Sequence, residues 1–102
     1  MLIAMLKVFG QQTANLWLDD MRPAPTGWTW CKSVAEAQQI LQSQTVVEMS
    51  FDHDLGQKQD GYDLAKWMAA NNKWPQKRPT IHSQNPVGRA NIEAVISRYG
   101  PY

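Results

Sequence analysis

The chain has 102 residues, 43% of them hydrophobic and 19% charged, which suits one folded domain with a single core and excludes a disordered polymer. Its formal net charge of +1 offers no basic face for wrapping nucleic acid or binding an acidic membrane, so any phosphate must be caught locally. A single cysteine, Cys31, excludes an internal disulfide and a CxxC metal knuckle, and favours a reducing compartment.

Residues 2–9 are an apolar stretch whose state the pattern leaves open; Gly10-Gln11-Gln12 ends it. The stretch is too short to span a bilayer and lacks the basic residues that precede the apolar part of a signal peptide. A cytoplasmic protein is the expectation, with residues 1–15 as an extension and 16–102 as the folded domain. Leu16-Trp17-Leu18 is a short apolar run closing on Asp19-Asp20, the pattern of a buried strand that emerges at a polar edge. Arg22-Pro23-Ala24-Pro25-Thr26-Gly27 is loop, because its two prolines forbid regular structure. Trp28 to Lys32 alternates large and small residues and predicts a short edge strand.

Ser33-Val34-Ala35-Glu36 is a capping-box pattern, and the helix it opens carries Val34, Ala37, Ile40 and Leu41 on one stripe. Val46 to Phe51 reads as a strand ending in Asp52-His53-Asp54. After the loop Gly56 to Asp60, a second helix is predicted from about Tyr62 to Asn71, with Leu64, Trp67 and Met68 inward. Pro79-Thr80-Ile81 begins a third short strand, followed at once by His82-Ser83-Gln84-Asn85. Asn85-Pro86 starts a last helix that buries Ile92, Val95 and Ile96, and Tyr99-Gly100-Pro101 stops it.

Strands separated by helices imply parallel pairing, with right-handed crossovers that bring all strand ends to one edge. Ligands of such open sheets bind outside the carboxyl ends of the strands. Three apolar runs here finish in Asp19-Asp20, Asp52-His53-Asp54 and His82-Ser83. Carboxylates gathered there repel unless a cation or a shared proton offsets them; Mg2+ or Mn2+ is the expected ion, since hard cations prefer oxygen. The helix start at Pro86-Val87-Gly88 would aim free amides and a positive dipole end at the same edge. Arg89 in that first turn makes sense beside an anion, and Gly88 would let a phosphate approach the backbone.

Three motifs carry a resemblance. Leu16-Trp17-Leu18-Asp19-Asp20-Met21-Arg22-Pro23-Ala24-Pro25, Ser50-Phe51-Asp52-His53-Asp54-Leu55-Gly56 and His82-Ser83-Gln84-Asn85-Pro86-Val87-Gly88-Arg89 resemble, in that order, the cyclic-phosphate-processing receiver-like domain. The resemblance runs from about Leu16 to Ile96. It implies an α/β fold: a small, open, mainly parallel sheet with flanking helices, a diverged flavodoxin-like receiver. It also implies that Asp19 and Asp20 stand where receivers hold Mg2+, Asp52 or Asp54 where they keep the phosphate acceptor, and Ser83 where they keep a hydroxyl. Two departures are expected. The segment between Asp20 and Trp28 is too short for the usual first helix, and the chain leaves no room for the last strand with its lysine. The pair His53 and His82 is what sets this family apart from ordinary receivers.

The implied activity is hydrolysis of a cyclic phosphate, in a small phosphorylated ligand or at an RNA terminus, with no membrane and no extended nucleic-acid surface involved. Histidine suits the proton transfers because it titrates near neutrality. The expected roles are acid and base for His53 and His82, orientation or metal binding for Asp52 and Asp54, and metal binding for Asp19 and Asp20. Ser83, Asn85, Gly88, Arg89 and Arg22 would contact phosphate oxygens. Plainer roles stand beside these: hydrogen-bonded structural histidines, solvated or capping aspartates, surface arginines. Asp60 and Asp63 read as helix caps or surface charges, Cys31 as a packed side chain. Of the five tryptophans, Trp17 and Trp67 fall on expected core faces, and one of Trp28, Trp30 and Trp74 could flank a ligand. The alternative function is a non-enzymatic module that binds metal or phosphate and docks to a partner.

Overall fold

A computed structural model describes residues 12–102. Four strands, β1 (Thr13–Leu18), β2 (Thr29–Cys31), β3 (Thr45–Phe51) and β4 (Thr80–Ile81), form one sheet in the order β2-β1-β3-β4. All three pairings are parallel. Among the described residues this matches the first four strands of the flavodoxin-like order. Three helices accompany it among the described residues: α1 (Val34–Ser43), α2 (Gly61–Asn71) and α3 (Pro86–Tyr99). The apolar stretch at residues 2–9 lies outside the described residues.

Side chains of a strand alternate between faces, and that alternation decides what each face carries. Leu18, Phe51, Cys31 and Ile81 stand in register on one face. There they join Val34, Ala37 and Leu41 of α1, Leu64 and Met68 of α2, and Ile92, Val95 and Ile96 of α3 in one core. Trp17, Trp30, Ser50 and Thr80 share the register of the other face. No helix of the described residues packs there. The stretch from Asp19 to Trp28 covers part of it instead: the Trp17 indole donates to the Arg22 carbonyl (2.9 Å), and Trp28 meets Trp17 edge-on at 6.2 Å. Trp17 is therefore not a core residue, contrary to the expectation that it falls on a core face.

Helix starts follow the side-chain caps the sequence offers. Ser33 accepts from the Glu36 amide, but Glu36 reaches back to the Lys32 amide rather than to Ser33, so the expected reciprocal box is displaced by one residue. The reciprocal box occurs at α2, where Asp60 and Asp63 each accept from the other's amide at 2.9 Å. Asn85 caps α3 by accepting from the Gly88 amide, with Pro86 in the first position. No helix of the described residues is long and apolar enough to cross a membrane.

Candidate functional site

The parallel ladder continues one residue beyond three strands, and this aligns the reactive side chains. The Asp19 amide donates to the Cys31 carbonyl, the Asp52 amide to Leu18, and the His82 amide to Phe51, at 2.8–3.0 Å. Asp19, Asp52 and His82 thus emerge side by side at the carboxyl edge. Asp20 follows Asp19, close to Gly56, whose backbone at φ +63 sits in the left-handed region.

Asp19, Asp20 and Asp52 each offer a carboxylate oxygen within 4.8 Å of the others. Asp19 is only 1% exposed. Burial alone would raise its pKa, but hydrogen bonds from the Arg22 and Met21 amides and from His82 outweigh that and hold it below the ordinary 3.8. One oxygen accepts both amides at 2.8 Å, while the other meets His82 Nε2 at 3.0 Å. A buried carboxylate kept charged, with two more carboxylates beside it, is a donor set of the kind a hard divalent cation requires. The three carboxylates could hold a metal ion. Asp54, expected among the ligands, stands apart from this cluster: its carboxylate turns to His53 Nδ1 (2.9 Å) and the Asn85 side-chain amide (3.3 Å). Those two donors lower its pKa, His53 most.

His82 lies on the tryptophan face. Its ring stacks on Trp17 with centroids 3.9 Å apart and planes 4° apart. Nδ1 is 2.7 Å from the Ser50 hydroxyl, and Nε2 faces Asp19. Burial pushes the imidazole pKa below its ordinary value; Asp19 and Asp52 pull it up without reversing this, and Arg22 adds to the lowering. Arg22 does come to the edge, with Nη1 3.4 Å from the His82 carbonyl.

His53 lies on the helical face. Its Nδ1 meets Asp54, its Nε2 is 3.2 Å from an oxygen of Asp60, and its carbonyl accepts from the Gly61 amide. The space beside Gly88 is filled by this ring: a Cβ there would stand 2.2 Å from His53 Cγ. That gives Gly88 a packing reason in place of the phosphate approach expected of it. Both histidines reach one edge, but from opposite faces of the sheet, and they share no hydrogen-bond partner among the described residues.

The remaining candidates are partly occupied. Ser83 is buried and its hydroxyl accepts from the Asn85 amide at 3.1 Å. Asn85 spends its oxygen on capping and its amide on Asp54. Arg89 is exposed, with no side-chain partner among the described residues. Sequence reasoning overlooked Ser50, Trp17 and Asp60 as partners of the histidines. The signal for the first two was available, since they alternate with Leu16, Leu18, Met49 and Phe51.

A profile of the cyclic-phosphate processing receiver domain matches residues 14–98. The chain belongs to this family. No curated protein and no solved structure matches the chain. Within this receiver domain, the acidic cluster sits where the parallel sheet presents its carboxyl ends, and Trp17 stacks on His82 beside it.

Proposed function

We propose that this receiver domain binds a small cyclic phosphate, free or at an RNA end, at the carboxyl edge of its sheet and hydrolyses it. The observation that carries the reading is the convergence of Asp19, Asp20 and Asp52 in a family described by cyclic-phosphate processing. These three residues would hold Mg2+ or Mn2+. Such an ion, when bound, neutralises charge that develops on the non-bridging phosphate oxygens. In the reaction the oxygen of water bonds to phosphorus, one ring P–O bond breaks, and a proton ends on the freed oxygen, leaving a phosphomonoester. Arg22, at the rim, supplies a positive group for the anion. His53 and His82 are the imidazoles at this edge, the side-chain type suited to passing a proton. His53 is better suited to exchange it, because its partners Asp54 and Asp60 are 66% and 32% exposed and can yield, whereas those of His82 are buried.

One observation favours the second reading, a non-enzymatic module that binds cation and phosphate. Every ring nitrogen of both histidines already has a partner. Incubation with cyclic phosphodiesters and Mn2+, followed by 31P NMR, separates the two. The hydrolase reading expects a monoester signal that disappears in His53→Ala and Asp52→Asn. Binding of Mn2+ and phosphate without any product would leave the module.

A further inference from the structure

We propose that His82 is a positioning residue for the cation site, holding the Asp19 carboxylate in place. The inference rests on the reading of Asp19, Asp20 and Asp52 as cation ligands. Asp19 ends a strand at the bottom of the edge, and its two oxygens are treated differently. The first is fixed by the backbone amides of Met21 and Arg22. Without a second restraint the carboxylate could still rotate about that anchor. His82 Nε2, at 3.0 Å, provides the restraint.

The direction of each hydrogen bond follows from elementary donor and acceptor rules. A carboxylate accepts and cannot donate, so Nε2 carries the hydrogen. In a neutral ring Nδ1 is then an acceptor, and it receives the Ser50 hydroxyl at 2.7 Å. Asp19 therefore sets the tautomer, and the Ser50 hydroxyl satisfies the nitrogen left as an acceptor. Trp17 fixes the remaining freedom, because a parallel indole at 3.9 Å stops the imidazole from tilting. The His82 backbone is itself pinned, its amide to Phe51 and its carbonyl to Arg22. A ligand carboxylate braced by an imidazole, which is braced by a hydroxyl and an indole, is a supporting layer of the kind that tunes metal affinity. The division of labour differs from the symmetric acid and base pair expected from the sequence. His82 acts through Asp19, and its loss is read first in cation binding.

The test is Mn2+ binding to the full chain, measured by calorimetry, with circular dichroism recorded for every variant. His82→Ala is expected to weaken Mn2+ by about ten- to a hundredfold, the usual cost of removing such a partner. His82→Gln can present an amide hydrogen near the place of Nε2 and is expected to recover most of that loss. Ser50→Ala, the smaller change, is expected to weaken binding while remaining folded. Wild-type affinity in His82→Ala or in Ser50→Ala, with affinity lost in Asp52→Asn, would overturn the positioning role and leave the cation site standing. Equal weakening in His82→Ala and His82→Gln, both folded, would also overturn it. No Mn2+ binding by the wild-type chain would overturn the cation reading itself.

Discussion

Gly88→Ala tests how tightly His53 is built into the helical face. The new Cβ would lie 2.2 Å from His53 Cγ, 2.4 Å from Cδ2 and 2.5 Å from Nδ1, against an ordinary carbon separation of about 3.5–4.0 Å. The ring cannot retreat freely, since Asp54 and Asp60 hold its two nitrogens. Overpacking of this kind costs about 1–3 kcal/mol, while alanine in place of helical glycine returns up to about 1 kcal/mol, and less in a first turn. The expected net loss is about 1–2 kcal/mol, or a drop in Tm of about 5–15 °C for a domain of this size. Urea and thermal unfolding followed by tryptophan emission measure it. In a His53→Ala background the clash is gone, so the same substitution should be neutral or stabilising, and the cycle should show a coupling of about 1 kcal/mol or more. An equal cost in both backgrounds, or no cost in the wild type, would refute the packing argument.

Gly61→Ala should be worse, because its Cβ would meet the Asp52 carbonyl oxygen at 2.2 Å, and backbone cannot move aside as a ring can; a loss of about 3 kcal/mol is expected, with weaker Mn2+ binding as Asp52 shifts. Asp19 has a depressed folded pKa, so the stability it contributes is complete above its unfolded value and is lost as pH falls through the folded one. Asp19→Asn should flatten the acid limb of a stability-versus-pH curve below about pH 4, and an unchanged limb would contradict this. His82 is likewise depressed: the unfolded chain takes up its proton first, so stability falls as pH drops below about 6.5 towards the folded value, and His82→Gln should remove that slope. Cys31 is 2% exposed and its thiol is pushed up to about 11, by burial first and by Glu36 second. It should resist a thiol reagent in the native state and react only on unfolding; rapid labelling would argue against the buried placement.

Much of the fold was legible because its signals are local. Ser33, Asp60 and Asn85 announce helix starts through the amides they accept from, and those caps are where the structure has them. The convergence of Asp19, Asp20 and Asp52 was legible for a topological reason: parallel strands deliver their ends to one edge. What escaped was the facing of individual side chains. Leu16-Trp17-Leu18 looks uniformly apolar, so the period of 2 was masked, and Trp17 was placed on a core face rather than beside His82. Asp54 looked like a ligand because it lies two residues from Asp52, but the chain turns after the strand. Its carboxylate is drawn to the adjacent His53 and to Asn85, and the latter comes from a distant position with no local signature.

The connection from Asp19 to Trp28 is, as expected, too short for the helix that receivers usually place there, and it holds several duties at once. It supplies two carboxylates, an arginine at the rim and the cover for an indole face. In a protein with a separate helix, wear on the scaffold and change in chemistry are drawn from different residues. Here they compete for the same short stretch, and Pro23 and Pro25 stiffen it further. Diversification of ligand preference is therefore steered away from this loop, towards the exposed Gln57, Lys58 and Gln59 and the turn at Gln84.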